Sequence, residues 1–291
     1  MSELKEVWVA GEALIDLVPR GEARVPIVGG GPANTAKALS NLGFGVSFIG
    51  GISSDDYGAM IRNELDGVNL SLALKSDLPT ALARVSLNAS GSASYEFSLE
   101  GTATFDFRSE WLPKGEPGIL HVGTLGTVVE PGASNLFEWA SQMSAPIVFD
   151  PNIRPSVLND KARYRAVFER WAGISTVVKM SSEDLEWLGY SNPARLFDLG
   201  FKYLIVTKGK DGIEGFTKEG AASVPGVAVD VVDTVGAGDT VGAIVVEGLA
   251  KFGVSGLEDN LLSVLTRAAK AAAITCSRAG AKPPTLAELE G

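Results

Sequence analysis

Cysteine occurs once, at Cys276, and histidine once, at His121, in 291 residues. One imidazole excludes a His-clustered metal site and makes any Ser-His or Cys-His mechanism depend on that residue alone. His121 lies between Ile119-Leu120 and Val122-Gly123, so it reads as a strand-end histidine packed in a cleft wall. Lys and Arg total 25 against 35 Asp and Glu, a net charge of −10 with no basic run. That balance argues against nucleic acid and against an anionic membrane as partners. No apolar stretch approaches the roughly 20 residues of a membrane-spanning helix, and Ser2, Glu3, Lys5 and Glu6 open the chain without a signal-peptide pattern. A cytoplasmic protein is expected. Two phosphate-binding signatures are also missing: no Gly-Lys-Ser/Thr occurs, and no Gly-x-Gly-x-x-Gly follows the first apolar run at 7–10. A P-loop kinase is thereby excluded, and a dinucleotide-dependent oxidoreductase loses its main support.

The chain is 45% hydrophobic, enough to bury a large core, and its β-α rhythm predicts one α/β domain over 1–291. The most informative stretch is Asp233-Thr234-Val235-Gly236-Ala237-Gly238-Asp239-Thr240, which opens an apolar segment at 241–250. Gly236 and Gly238 free the backbone to curl, so the N–H groups of Gly236, Ala237 and Gly238 can converge at a helix N-terminus that favours a phosphate. Asp239 would then stand in the first helical turn, where it could take a proton from a hydroxyl beside that phosphate, with a basicity that the helix dipole lowers. The same residues also read as a glycine turn with an acidic cap.

Along the chain, 7–11 reads as the first strand of a parallel sheet, continued by 12–18 with Asp16 among apolar neighbours. Asp16 suits either two hydroxyls of a polyol or a turn cap. Gly29-Gly30-Gly31-Pro32-Ala33-Asn34 leads into a helix, and Gly30 and Asn34 can clamp a small polar ligand. The rhythm breaks at 82–98, where two alternating runs flank Asn88-Ala89-Ser90-Gly91 as a hairpin. With 17–28 this ribbon, over about 80–105, is expected to form a small lid sheet or an extension of the main sheet edge. The lid is also the surface through which a homodimer would form. Asp150-Pro151-Asn152-Ile153-Arg154 follows a strand, where ligands of open α/β sheets gather, so Asn152 and Arg154 are candidate contacts. Ser181-Ser182-Glu183-Asp184 opens a helix; its carboxylates read as caps or as holders of a hydrated Mg²⁺. Thr207 to Gly212 reads as a hairpin turn whose glycines could also admit phosphates, 224–232 as an alternating strand, and 257–276 as a long helix.

Taken in order, Gly-Glu-Ala-Leu-Ile-Asp at 11–16, Gly-Gly-Gly-Pro-Ala-Asn at 29–34, Asp-Pro-Asn-Ile-Arg at 150–154, Thr-Lys-Gly-Lys-Asp-Gly at 207–212, Asp-Thr-Val-Gly-Ala-Gly-Asp at 233–239 and Cys-Ser-Arg-Ala-Gly-Ala at 276–281 resemble the ribokinase-like, phosphofructokinase-B type carbohydrate kinases, and most of all bacterial fructokinases. The resemblance implies a three-layer α/β/α sandwich with a mainly parallel sheet and a β-ribbon lid. It implies transfer of the ATP γ-phosphate to a primary hydroxyl, with fructose the first choice and 2-keto-3-deoxygluconate, ribose or a non-catalytic sugar-binding regulator as alternatives. Asp239 would be the base, Gly236 to Gly238 the anion hole, and Asp16, Gly30 and Asn34 the sugar contacts. Thr207, Gly209 and Gly212 would line the nucleotide site. Mg²⁺ is implied as cofactor, with Asp184 as a water-mediated contact, and a monovalent cation such as K⁺ is a further open requirement. A sugar acid would need a cation for its carboxylate, and Arg84 on the ribbon is the expected candidate. The chain departs from the family pattern at Ser181 and Asp184, which stand for its Asn-x-x-Glu, and at Ser53-Ser54-Asp55, which stand for its Gly-Asp-Asp.

Overall fold

Strand pairing sorts this chain into a large sheet, a small four-stranded sheet and one two-stranded pair. The computed structural model describes residues 6–21, 23–87 and 93–291. The first half contains β1 (Val7–Ala10), β2 (Leu14–Arg20), β3 (Ala23–Gly29), α1 (Gly31–Asn41), β4 (Val46–Ile49), β5 (Gly51–Ser53), α2 (Asp56–Glu64), β6 (Leu74–Ser76), β7 (Leu82–Leu87) and β8 (Ala93–Ser98). It continues with β9 (Ile119–Gly123), α3 (Gly132–Ala140), β10 (Ile147–Asp150), α4 (Lys161–Ala172), β11 (Val177–Ser181) and α5 (Ser182–Leu188). The last third holds β12 (Tyr203–Thr207), β13 (Ile213–Phe216), β14 (Ala221–Val224), α6 (Ala237–Gly256), α7 (Leu261–Cys276) and α8 (Leu286–Glu290).

Eight strands form the large sheet in the order β14-β13-β12-β11-β10-β9-β1-β4. Its pairs are parallel from β4 to β12 and antiparallel only at the β12–β13 and β13–β14 edge. Both faces are apolar, as a parallel sheet covered by helices requires. Val7, Val9, Val148, Val177 and Ile205 face one core with α1, α6 and α7, while Trp8, Leu120, Phe149, Val178 and Leu204 face the other with α3, α4 and α5. The molecule is therefore a three-layer α/β/α sandwich.

A second sheet, ordered β3-β2-β7-β8, stands apart from the first. The chain passes from one sheet to the other at Gly11, whose φ of +148° few other residues adopt. The expectation that 12–18 prolongs the first strand is thus corrected: β1 ends at Ala10, and Asp16 belongs to the small sheet. The hairpin turn expected at 88–91 lies outside the described residues. Asp55 caps α2 through Gly58 N–H at 2.7 Å and also accepts from Thr80 N–H and Oγ1 at 2.9 and 2.7 Å. The Ser53-Ser54-Asp55 departure therefore keeps a carboxylate that ties α2 to the entry of β7.

Two further boundaries differ from expectation. Strand pairing stops at Val224, because among the described residues no strand lies beyond β14 to accept 225–232, and Val227, Val229, Val231 and Val232 stay exposed. The long C-terminal helix begins at Leu261 instead of 257, because α6 runs on past a non-helical Gly253 to Gly256. Among the described residues no helix is long and apolar enough to cross a membrane.

Candidate active site

A cavity of about 310 Å³ opens where the small sheet overhangs the carboxyl ends of the large sheet's strands. Leu14, Asp16 and Phe97 reach it from the small sheet, and Gly29, Gly30, Gly31 and Asn34 from the start of α1. Thr124, Asn152 and Arg154 follow strand ends, Lys179 comes from within β11, and Thr234, Val235, Gly236, Gly238 and Asp239 come from the start of α6. Glu12 closes it from the link between the sheets. Of the residues singled out by sequence, Asp16, Gly30, Asn34, Asn152, Arg154, Gly236, Gly238 and Asp239 are thus brought together.

Helix α6 begins at Gly236, the N-cap, with φ +79°. A Cβ there would lie 2.6 Å from the Ala281 Cβ, so the loop after α7 packs directly on the turn that opens the helix. Asp239 is the third helical residue, 8% exposed, and its Oδ2 accepts from Asn34 Nδ2 at 2.8 Å. Burial raises its pKa to about 6, with Asp150 adding to the rise and Lys179, Asn34 and Arg154 opposing it. The dipole-lowered basicity expected from the helix position is therefore overturned: loss of hydration outweighs the helix end. An aspartate raised this far is a better proton acceptor near neutral pH while staying mostly ionised.

Lys179 is the part of the site that the sequence hid. It follows Val177 and Val178 in β11, and alternation places it on the α6 side of the sheet, beneath Gly238. Its Nζ donates to Asp150 Oδ2 at 2.7 Å, with both side chains nearly fully buried. Burial lowers its pKa, but Asp150 and Asp239 more than compensate, so the ammonium stays charged. A Cβ built on Gly238 would stand 3.1 Å from that Nζ, which places a cation directly under the glycine turn. His121 occupies the same face two strands away, fully buried, and burial together with Lys179 drives its pKa down to about 3. It is neutral and does not line the cavity: the expectation of a strand-end cleft wall is corrected, because His121 is the middle residue of β9 and is buried beneath Gly242 of α6. The signal that could have found Lys179 was an ionisable residue inside a five-residue strand, but its partner Asp150 stands 29 positions away.

Asp16 is also raised, to about 6, by burial with Arg154 opposing. Arg84 does not join it. Asp16 pairs with Ala83 and Leu17 with Arg84, so the strand's two-residue period turns Arg84 to the opposite face, where its Nη1 donates to Ser98 Oγ at 2.9 Å. Arg154 is the cation at the cavity rim instead, held by Asn152 and Ile153 carbonyls.

Thr207, Gly209 and Gly212 lie outside the cavity, at the end of β12 and in the turn to β13. That turn contacts the exposed valine loop, since a Cβ on Gly226 would meet the Lys210 carbonyl. Asp184 is 8% exposed; Oδ2 accepts Ser181 N–H at 2.9 Å in a capping box, and Oδ1 accepts Ile153 N–H at 3.0 Å. It joins the start of α5 to the 150–154 loop.

Chemically, the site combines the positive end of a helix, a buried ammonium and an aspartate of raised basicity within one small polar cavity. Such a set can hold an anion and withdraw a proton from a hydroxyl seated between them. The profile of the pfkB family carbohydrate kinases matches residues 5–288. A fructokinase of Rhizobium leguminosarum bv. trifolii is 36% identical over 88% of this chain and 81% of its own. Among solved structures, a Vibrio cholerae O395 fructokinase in a fructose, ADP and calcium ion bound form has a TM-score of 0.85 at 27% identity, covering 99% of this chain and 98% of that one. An aminoimidazole riboside kinase from Salmonella enterica, complexed with aminoimidazole riboside and an ATP analog, has a TM-score of 0.85 at 26% identity over 98% of each chain.

Proposed function

We propose that this chain, which belongs to the pfkB family of carbohydrate kinases, transfers the γ-phosphate of ATP to the primary hydroxyl of fructose. The observation that carries the reading is Asp239: a buried carboxylate raised to about 6, at the head of α6 and facing a cavity closed by Asp16 and Asn34. Fructose lies between the small sheet and α1, its hydroxyls accepted by Asp16 and met by Asn34, Gly30 and Asn152. Asp239 takes the proton of the primary hydroxyl as the oxygen attacks the γ-phosphorus. The N–H groups of Gly236, Ala237 and Gly238 hold the transferred phosphoryl group, with Lys179 beneath and Arg154 at the rim neutralising its charge. A loose transition state asks mainly for this positioning and neutralisation. ATP approaches from the side of Thr207, Gly209 and Gly212, along the exposed valines.

Mg²⁺ would travel with the nucleotide. Among the described residues no three acidic, His or Cys side chains are grouped to hold a metal. Asp184 spends both oxygens on backbone N–H groups and does not line the cavity, so its contact to such an ion would have to run through water. Bound to the phosphates, the ion supplies charge neutralisation.

A neutral ketose is supported over a sugar acid because Arg84 faces away and Arg154 stands near Asp16 and Asp239, whose charge it balances. The test is coupled ADP release over fructose, ribose, other aldoses, 2-keto-3-deoxygluconate and aminoimidazole riboside, each with and without Mg²⁺ and in K⁺ or Na⁺. Fructose should give the highest kcat/KM. A larger value for a sugar acid or a riboside would replace fructose while keeping the kinase, and no ADP release with any sugar would overturn the reading.

A further inference from the structure

Two residues other than glycine have positive φ among the described residues, Thr124 at 55° and Asn152 at 36°, and they touch one another. Asparagine visits this region with some ease, but for a β-branched threonine it is an outlier. Such strain persists where the surrounding structure imposes it, and it clusters at functional sites. Thr124 follows β9 and Asn152 follows β10, neighbouring strands whose ends both open into the cavity.

What imposes the conformation is visible. Glu12 is 1% exposed, and its Oε2 accepts Gly126 N–H at 3.0 Å, while the Thr127 hydroxyl donates to the Thr124 carbonyl at 2.7 Å. The 124–127 turn is thereby fixed at both ends. Its result is to bring the Thr124 hydroxyl against the start of α1. A Cβ built on Gly31 would lie 2.6 Å from Thr124 Oγ1, 3.2 Å from Asp239 Oδ1 and 3.4 Å from Asn152 Nδ2. The three polar atoms therefore converge on the face of Gly31 at the α1 N-terminus, beside the cavity. Thr124 Oγ1 accepts from Asn152 Nδ2 at a long 3.4 Å, and among the described residues its own proton has no acceptor, although the side chain is buried.

We propose that Thr124 is a further sugar-binding residue of this kinase, its hydroxyl donating to a sugar oxygen next to the one that Asp239 deprotonates. The inference rests on the sugar-kinase reading and adds a contact to it. Thr124 holds the sugar in place; Glu12 acts through Thr124, as a positioning residue that fixes the turn. A site built to hydrogen-bond one substrate hydroxyl discriminates strongly against the analogue lacking it, so the pair also contributes to sugar selection.

The experiment compares Thr124→Val, which keeps the shape and removes the hydroxyl, with Thr124→Ser, which keeps the hydroxyl. Fructose affinity is measured by calorimetry, which needs no turnover, beside KM for fructose, KM for ATP and melting temperature. Valine should weaken fructose about tenfold or more with KM for ATP within about threefold, and serine should restore fructose to within about threefold of wild type. Equal fructose affinity in the valine variant, equal losses for fructose and ATP, or no rescue by serine would overturn the proposal. Should the valine variant not fold, single-deoxy fructose analogues serve on the wild type and Thr124→Ala: one analogue should lose affinity for the wild type and none further for the variant. The absence of any such analogue would contradict the assignment. Wild type that binds fructose without releasing ADP would fail the kinase reading and leave this measurement decisive; wild type that binds no sugar overturns both.

Discussion

Asn34 Nδ2 donates to Asp239 Oδ2 at 2.8 Å, joining two glycine motifs that lie 205 positions apart. The amide orients the carboxylate and lowers its pKa only in part, since burial dominates and leaves it at about 6. A carboxylate so placed has one oxygen held and the other, Oδ1, turned toward Gly31 and the cavity.

The pH dependence of turnover follows from that shift. A base works only when unprotonated, so a pKa raised from 3.8 to about 6 moves the acid limb up into a readily measured range. Asp16 is raised to about the same value and accepts from two sugar hydroxyls best when ionised. The kcat/KM for fructose should fall below about pH 6, approaching two powers of proton concentration in the free enzyme. A limb near pH 4 would show that neither carboxylate is buried as described.

The glycines at the head of α6 should separate in their effects. Gly238→Val places a side chain against the Lys179 ammonium and toward the cavity without backbone strain of its own, so turnover and ATP affinity should fall by about tenfold or more. Gly236→Ala instead combines φ +79° with contact on Ala281 and should destabilise by roughly 1–3 kcal/mol. Indistinguishable kinetics for Gly238→Val would argue against a phosphate at this turn.

Lys179→Met should cost about 3–5 kcal/mol of stability by leaving Asp150 buried without its cation. The double change Lys179→Met with Asp150→Leu should recover much of that stability and still turn over at least about tenfold more slowly than wild type, because the charge beneath the phosphoryl group is gone. Recovery of turnover along with stability would reduce Lys179 to a structural role.

Much of this architecture was legible because alternation in the buried strands and glycine-led helix starts are local signals. Asp16, Asn34 and Asp239 were visible as polar residues at apolar boundaries, and they meet in one cavity. The remainder depended on distant partners. Lys179 gains its meaning from Asp150 and from the helix above it, and Thr124 from backbone geometry that no side-chain pattern reports. The basicity of Asp239 was misjudged for the same reason, since a helix end is local and burial is not. The run at 225–232 alternates like a strand but has no strand to pair with among the described residues, and Arg84 lies one residue out of phase with the strand face that looks into the cavity.

That phase makes Arg84 a useful control. Arg84→Ala removes a bond to Ser98 on the far side of the ribbon, so kcat/KM for fructose should change by less than about threefold. A loss of tenfold or more, read in the same coupled assay, would mean that the ribbon presents its other face to the sugar.

The most direct measurement is kcat for Asp239→Asn with fructose and ATP, alongside both KM values and the melting temperature. Asparagine fills the same space and keeps a carbonyl oxygen for Asn34, but it cannot take the proton. The account predicts a kcat lower by about 10²-fold or more, both KM values within a few-fold of wild type, and a folded protein. A folded variant that phosphorylates fructose at near the wild-type rate would contradict it.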